Sequence, residues 1–94
     1  MTLLYSDPRF LDHDTRRGHP ERAERLRQIS AHLDATGLAN QCAKSHWQPA
    51  SEDQIARVHE PEYLHAIRNL ALRGGGRPDE DTVVSTASYD VARL

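Results

Sequence analysis

Strand-forming sequence is scarce in this chain, and where it falls decides what the chain can build. Thr2–Tyr5 is short, apolar and stopped by Ser6-Asp7-Pro8. It reads as a strand buried on both faces. Gln41–His46 reads as a weak second strand. Between them lies the clearest helical pattern, Pro20 to about Thr36. There Leu26, Ile29 and Leu33 fall at i, i+3 and i+7, one face of a 3.6-residue period. Strand, helix and strand predict an α/β layout with a parallel sheet. Two short strands do not complete such a sheet. The pattern is that of the opening of a larger α/β domain, a single partial domain over residues 1–94 that stops in a fourth helix.

The remaining segments are mostly helical. Pro20 suits a first helical position, where its missing N–H costs nothing, and Glu21 follows at the positive end of the dipole. Glu21 and Arg25 form an i,i+4 pair in the better orientation. Gly37 suits the residue just past the helix. Ser51 and Gln54 make a capping box for a short helix from Glu52 to about Val58. A third helix runs from Pro61 to about Arg73 and presents Tyr63, Leu64, Ile67 and Leu70-Ala71. Gly74-Gly75-Gly76 reads as a flexible joint and Arg77–Asp81 as a charged loop. Thr82-Val83-Val84 is β-branched but too short to be read as a strand by itself. Ser85 or Ser88 is placed to cap the fourth helix, which begins around Tyr89, Val91 and Ala92 and is cut off at Leu94.

Composition narrows the class. The net charge is −2, with 28% charged residues of mixed sign. Arg16-Arg17 is too short for a phosphate-binding tract, so nucleic acid is not an expected partner. No apolar stretch approaches the about 20 residues that span a bilayer. The N-terminus lacks the basic start and apolar core of a signal peptide, which makes the cytoplasm the expected location. The one cysteine, Cys42, excludes an internal disulfide and suits a reducing compartment. Its only cationic neighbour is Lys44, so it reads as a buried, inert thiol.

Several residues carry possible chemistry. Asp12-His13-Asp14 has metal-ligand types, but consecutive side chains diverge, and a solvated loop is the competing reading. His59-Glu60 with His65 allows an acid/base pair or simple capping at helix ends. The triglycine run is followed by no Lys-Ser/Thr and is not a phosphate loop. Arg25, three residues from Arg22 and near Leu26, needs a partner or a path to water. It either snorkels or enters a polar internal channel. Ser6–His19 is a long polar loop of the kind that lines sites.

Gly18-His19-Pro20-Glu21-Arg22-x-x-Arg25-Leu26 resembles the first active-site loop and helix of the histone deacetylase superfamily, especially its class II-like bacterial members. The likeness extends to Tyr5-Ser6, Leu33-Asp34-Ala35-Thr36-Gly37-Leu38 and Val58-His59-Glu60-Pro61-Glu62-Tyr63-Leu64. It also takes in Asp79-x-Asp81-Thr82-x-x-Ser85-x-x-Ser88-Tyr89, and so covers nearly the whole chain. The resemblance implies an arginase-like α/β fold with a central parallel sheet. It implies zinc-dependent hydrolysis of an acetyl-lysine or related acylated amine. In such chemistry the metal polarises the acyl carbonyl, a histidine pair acts as base and acid, and a tyrosine holds the oxyanion. By the same resemblance, Arg25 and Tyr5 belong beside the channel through which acetate leaves. Asp81 matches a rim aspartate that accepts hydrogen bonds from substrate, and His19 lies in the first rim loop.

The departures bear on mechanism. The chain has no His-His pair and no Asp-x-His zinc set; in the family these, and the catalytic tyrosine, come later. No catalytic or metal-binding residue is therefore expected within these 94 residues. Zinc is expected only for a full-length family member. Two readings follow: the N-terminal part of a deacetylase, or a stand-alone helical binding module derived from one, with self-association of its uncovered faces.

Overall fold

The computed structural model describes residues Met1–Leu94. Strand β1 (Leu3–Leu4) pairs in parallel with β2 (Ala43–Lys44), with Leu3 opposite Ala43 and Leu4 opposite Lys44. Parallel neighbours need a crossover, and helix α1 (Ala23–Ala35) supplies it. The chain enters α1 through a 3-10 turn at Pro8–Asp12 and leaves through another at Ala39–Gln41. Strand, helix and strand thus form the expected α/β unit.

Burial of the first strand on both faces is not what the structure shows. Leu3 and Tyr5 are each about half exposed. The reason is that α1 packs mainly on the two 3-10 turns and leaves the strand faces uncovered. Likewise the Gln41–His46 strand shortens to two residues, because only Ala43 and Lys44 have a partner strand to bond.

Helix α1 begins three residues later than the Pro20 signal predicts. Arg22 is extended at φ −156° and is the N-cap. The Glu21 carbonyl is claimed by the Thr15 hydroxyl, which ties Pro20-Glu21 into the loop. Gly37 ends the helix as expected, at φ 77°. The Leu26–Ile29–Leu33 stripe has no fully buried member.

The second half of the chain holds the core. Helix α2 (Glu52–Ile55) carries the complete Ser51–Gln54 capping box, shorter than predicted but correctly started. Helix α3 (Pro61–Leu72) buries Leu64 and Ala71. These pack with Val84 and Tyr89, and Ile55, Ile67 and Leu70 close around them.

The glycine joint and charged loop are instead parts of a hairpin. Strand β3 (Gly76–Asp79) pairs antiparallel with β4 (Thr82–Val84). Gly74 and Gly75 adopt φ 103° and 97°, and the Gly75 amide donates to the Leu70 carbonyl, turning the chain directly out of α3. Burial drives the three-residue strand: Val83 and Val84 are buried beside α3. The Asp79 carboxylate accepts the Asp81 amide at 2.9 Å and shapes the tip.

Helix α4 (Ser88–Ala92) is capped by neither predicted serine. Ala87 is the N-cap, and the Ser88 hydroxyl turns back to accept the Ser85 amide. Its C-cap is Arg93, and the Leu94 amide still donates to the Val91 carbonyl.

No helix is long and apolar enough to cross a membrane. The chain exposes 7277 Å², against about 5,500 Å² expected of a self-contained folded chain of its mass. Leu3, Tyr5, Val58 and Leu72 are among the large apolar side chains it leaves exposed.

Candidate functional site

The loop from His13 to Glu21 and the β3–β4 hairpin meet at one edge of the molecule. The loop reverses twice, with Arg16 at φ 73° and Gly18 at φ 86°. Arginine at positive φ is uncommon; here the Asp14 carboxylate accepts the Arg16 amide at 2.9 Å. Thr15 is buried, its hydroxyl bound to the Glu21 carbonyl. The loop is thus held from inside.

His19 joins the two segments. Its Nδ1 accepts the Glu21 amide at 3.1 Å. That leaves Nε2–H to donate to the Asp81 carbonyl, 2.9 Å away. Both ring nitrogens are satisfied in one neutral tautomer. Residues 62 apart in sequence, both predicted for the rim, are therefore neighbours.

Beneath them lies a largely apolar cavity of about 660 Å³. His13, His19 and Asp81 line it together with Leu64, Ile67 and Val84. His59 also reaches it, its ring 6.3 Å from that of Tyr63. His65 does not line it, so the His59/His65 pairing is not assembled there. The hairpin tip is anionic: hydrogen bonds from Thr82 and the Asp81 amide hold the Asp79 carboxyl below its ordinary range.

The two predicted channel residues lie elsewhere. Arg25 pairs with Glu21 at 2.5 Å, the expected i,i+4 contact, with its side chain more than half exposed. It lines a small cavity of about 200 Å³ with Phe10, His13, Leu26 and Ile29. Tyr5 meets Trp47 edge-on at 5.4 Å, and Phe10 stacks on the same indole at 6.1 Å. Phe10 lines the cavity beside Arg25, and Tyr5 does not.

No three His, Cys, Asp or Glu side chains converge as a metal site. Within Asp12-His13-Asp14, His13 turns to Ser88 and Asp14 to the Arg16 amide. These residues do not fit zinc, which needs converging ligands. Cys42 is half-buried rather than buried, with its sulfur 3.5 Å from the Leu38 carbonyl.

Two clusters were not legible in the sequence. His13 Nδ1 lies 2.6 Å from the Ser88 hydroxyl, and the Asp14 amide donates to Ser85 Oγ at 3.1 Å. The Tyr89 phenol donates to Glu52 at 2.9 Å, and Arg68 reaches the same carboxylate oxygen. Burial and the Glu52 carboxylate raise the Tyr89 phenol above its ordinary value. Both clusters span tens of residues, beyond any local spacing signal.

The whole chain superposes on a known deacetylase-type α/β domain. The crystal structure of the HDA15 HD domain matches with a TM-score of 0.89 and 26% identity, over 99% of this chain and 27% of that one. The sequence profile of the histone deacetylase domain matches residues 19–94. The chain belongs to the histone deacetylase domain family. It is 42% identical over its full length to uncharacterized protein slr0245 of Synechocystis sp., covering 32% of that protein. Over 82% of its length it is 35% identical to a histone deacetylase-like amidohydrolase of Pseudomonas aeruginosa, covering 20% of it. The chain thus spans about a third or less of the curated relatives it matches.

Proposed function

We propose that this chain forms the substrate-rim and product-channel portion of a zinc-dependent hydrolase that removes acetyl or related acyl groups from lysine or polyamine-type amines. The observation that carries this reading is the meeting of His19 and Asp81 above the cavity. His19 takes the Asp81 carbonyl, so the Asp81 carboxylate is not used by that contact and is available to a substrate's N–H donors. Arg25, beside the small cavity under α1, is the residue proposed to escort the anionic product. Tyr5 is proposed to act with it across the aromatic row. The chain's own residues do not fit zinc, so no hydrolytic step is assigned to them.

The test has two arms. The 94-residue chain with added zinc is assayed on an acetyl-lysine peptide and an acetylated polyamine; no turnover is expected. A chimera then carries this chain in place of the matching stretch of the Pseudomonas amidohydrolase, and turnover is expected. Arg25→Ala or Asp81→Ala should lower it. Zinc-dependent turnover by the chain alone would overturn the reading. So would a folded, zinc-loaded chimera without activity.

A second reading, a stand-alone binding module, draws on the surplus exposed area and on the exposed Val58, Tyr63 and Leu72. It predicts a cooperative melt or a stable oligomer. A non-cooperative melt with strong binding of an apolar dye counts against it.

A further inference from the structure

On the reading of His19 and Asp81 as rim residues, we infer that His13 is a positioning residue. Through Ser88 and Ser85 it fastens the first rim loop to the turn before α4, so that both rim segments are held in one arrangement.

The hydrogen bonds form a closed relay. Ser88 Oγ has one hydrogen and two lone pairs. It accepts the Ser85 amide at 2.7 Å. It lies 2.9 Å from Ser85 Oγ and 2.6 Å from His13 Nδ1. Ser85 Oγ in turn accepts the Asp14 amide at 3.1 Å. One assignment uses every group: Asp14 N–H to Ser85 Oγ, Ser85 O–H to Ser88 Oγ, and Ser88 O–H to His13 Nδ1. The opposite sense, with Nδ1–H donating to Ser88, fills both serines' lone pairs and leaves the Ser85 hydrogen without a partner in the relay. The assignment that uses every group has His13 Nδ1 accepting and places the ring hydrogen on Nε2.

Position makes the relay a latch. Ser88 is buried, at 7% exposure, so water competes poorly for its hydroxyl. His13 caps the 3-10 turn at Pro8–Asp12 and opens the loop that carries His19. Ser85 directly follows β4, and Asp81 directly precedes it. The relay and the His19–Asp81 contact thus bind the same two segments at two points. Between them the buried Thr15 ties the loop to Glu21.

Amide exchange of the 94-residue chain, followed by NMR, tests this. His13→Leu should make the Asp14, Ser85 and Glu21 amides exchange roughly tenfold faster, as for loss of a hydrogen bond to a buried hydroxyl. The Gly75 amide, bound to Leu70 in the core, should be unchanged. His13→Asn, which keeps an acceptor near the Nδ1 position, should restore protection. A uniform rise at all amides, or no rise at Asp14 and Ser85, would overturn the latch. In the unsubstituted chain, ring nitrogen shifts should show Nε2 protonated and Nδ1 bare; the reverse pattern also overturns it. Neither readout involves hydrolysis. A failed latch therefore leaves the rim reading standing, and an inactive chimera leaves the latch standing.

Discussion

Replacing Gly75 by alanine tests the packing that turns a glycine run into a hairpin. Gly74 and Gly75 both sit at positive φ, so alanine at either carries backbone strain of about 1–3 kcal/mol. They differ in surroundings. A Cβ on Gly74 meets open space, whereas one on Gly75 overlaps the Val84 carbonyl oxygen and comes within 3.2 Å of Ser85 Cα. Those are backbone atoms at and just past the end of a paired strand and cannot rotate aside. Overpacking of that kind adds about 1–3 kcal/mol. Gly75→Ala should therefore cost about 1–3 kcal/mol more than Gly74→Ala. That is a large share of what holds a chain of this length. Urea unfolding followed by far-ultraviolet circular dichroism reads the difference as a shift in midpoint at constant slope. Equal costs for the two variants, within about 0.5 kcal/mol, would refute the close approach. The triglycine run would then be the flexible joint that composition suggests.

Ser51→Ala should cost about 0.5–2 kcal/mol, because both arms of the capping box are present; the same urea titration measures it. Tyr89→Phe should cost about 1 kcal/mol, since Glu52 keeps Arg68 and partial exposure. The Tyr89 phenol is raised above 10.0, so its contribution is present below that pH and fades as pH rises through the higher value. The gap between wild type and Tyr89→Phe should close in alkali. Asp7 is held down to about 2 by hydrogen bonds from the Arg9 side chain and amide. A depressed carboxyl stabilises above its ordinary 3.8 and loses that effect as pH falls towards 2. Asp7→Asn should therefore flatten the acid limb of a stability–pH curve in that window.

Local chemistry made several features legible. The capping box at Ser51 and Gln54, the Gly37 helix exit and the Glu21–Arg25 pair depend on residues within a turn of one another, and each forms as read. The family likeness was legible for a related reason: its motifs are local strings. Features set by distant partners were not. The Pro20 signal for a helix start is sound chemistry, yet Thr15 reaches the Glu21 carbonyl and moves the start to Ala23. Thr82–Val84 carries too little pattern to be a strand alone, and becomes one because β3 pairs with it and the α3 side buries its valines.

The site divides the same way. Sequence by itself determined the family and the Gly18–Leu26 motif that carries it, because recognition and helix signals act over short spans. It also determined that the His-His and Asp-x-His sets are missing from these residues. Only the tertiary structure brought His19 against Asp81 and His13 against Ser88. Those contacts join segments separated by 62 and 75 residues. A hydrogen bond of that reach depends on how the 3-10 turn at Pro8–Asp12 packs on α4 and the β3–β4 hairpin on α3, and no local spacing encodes it.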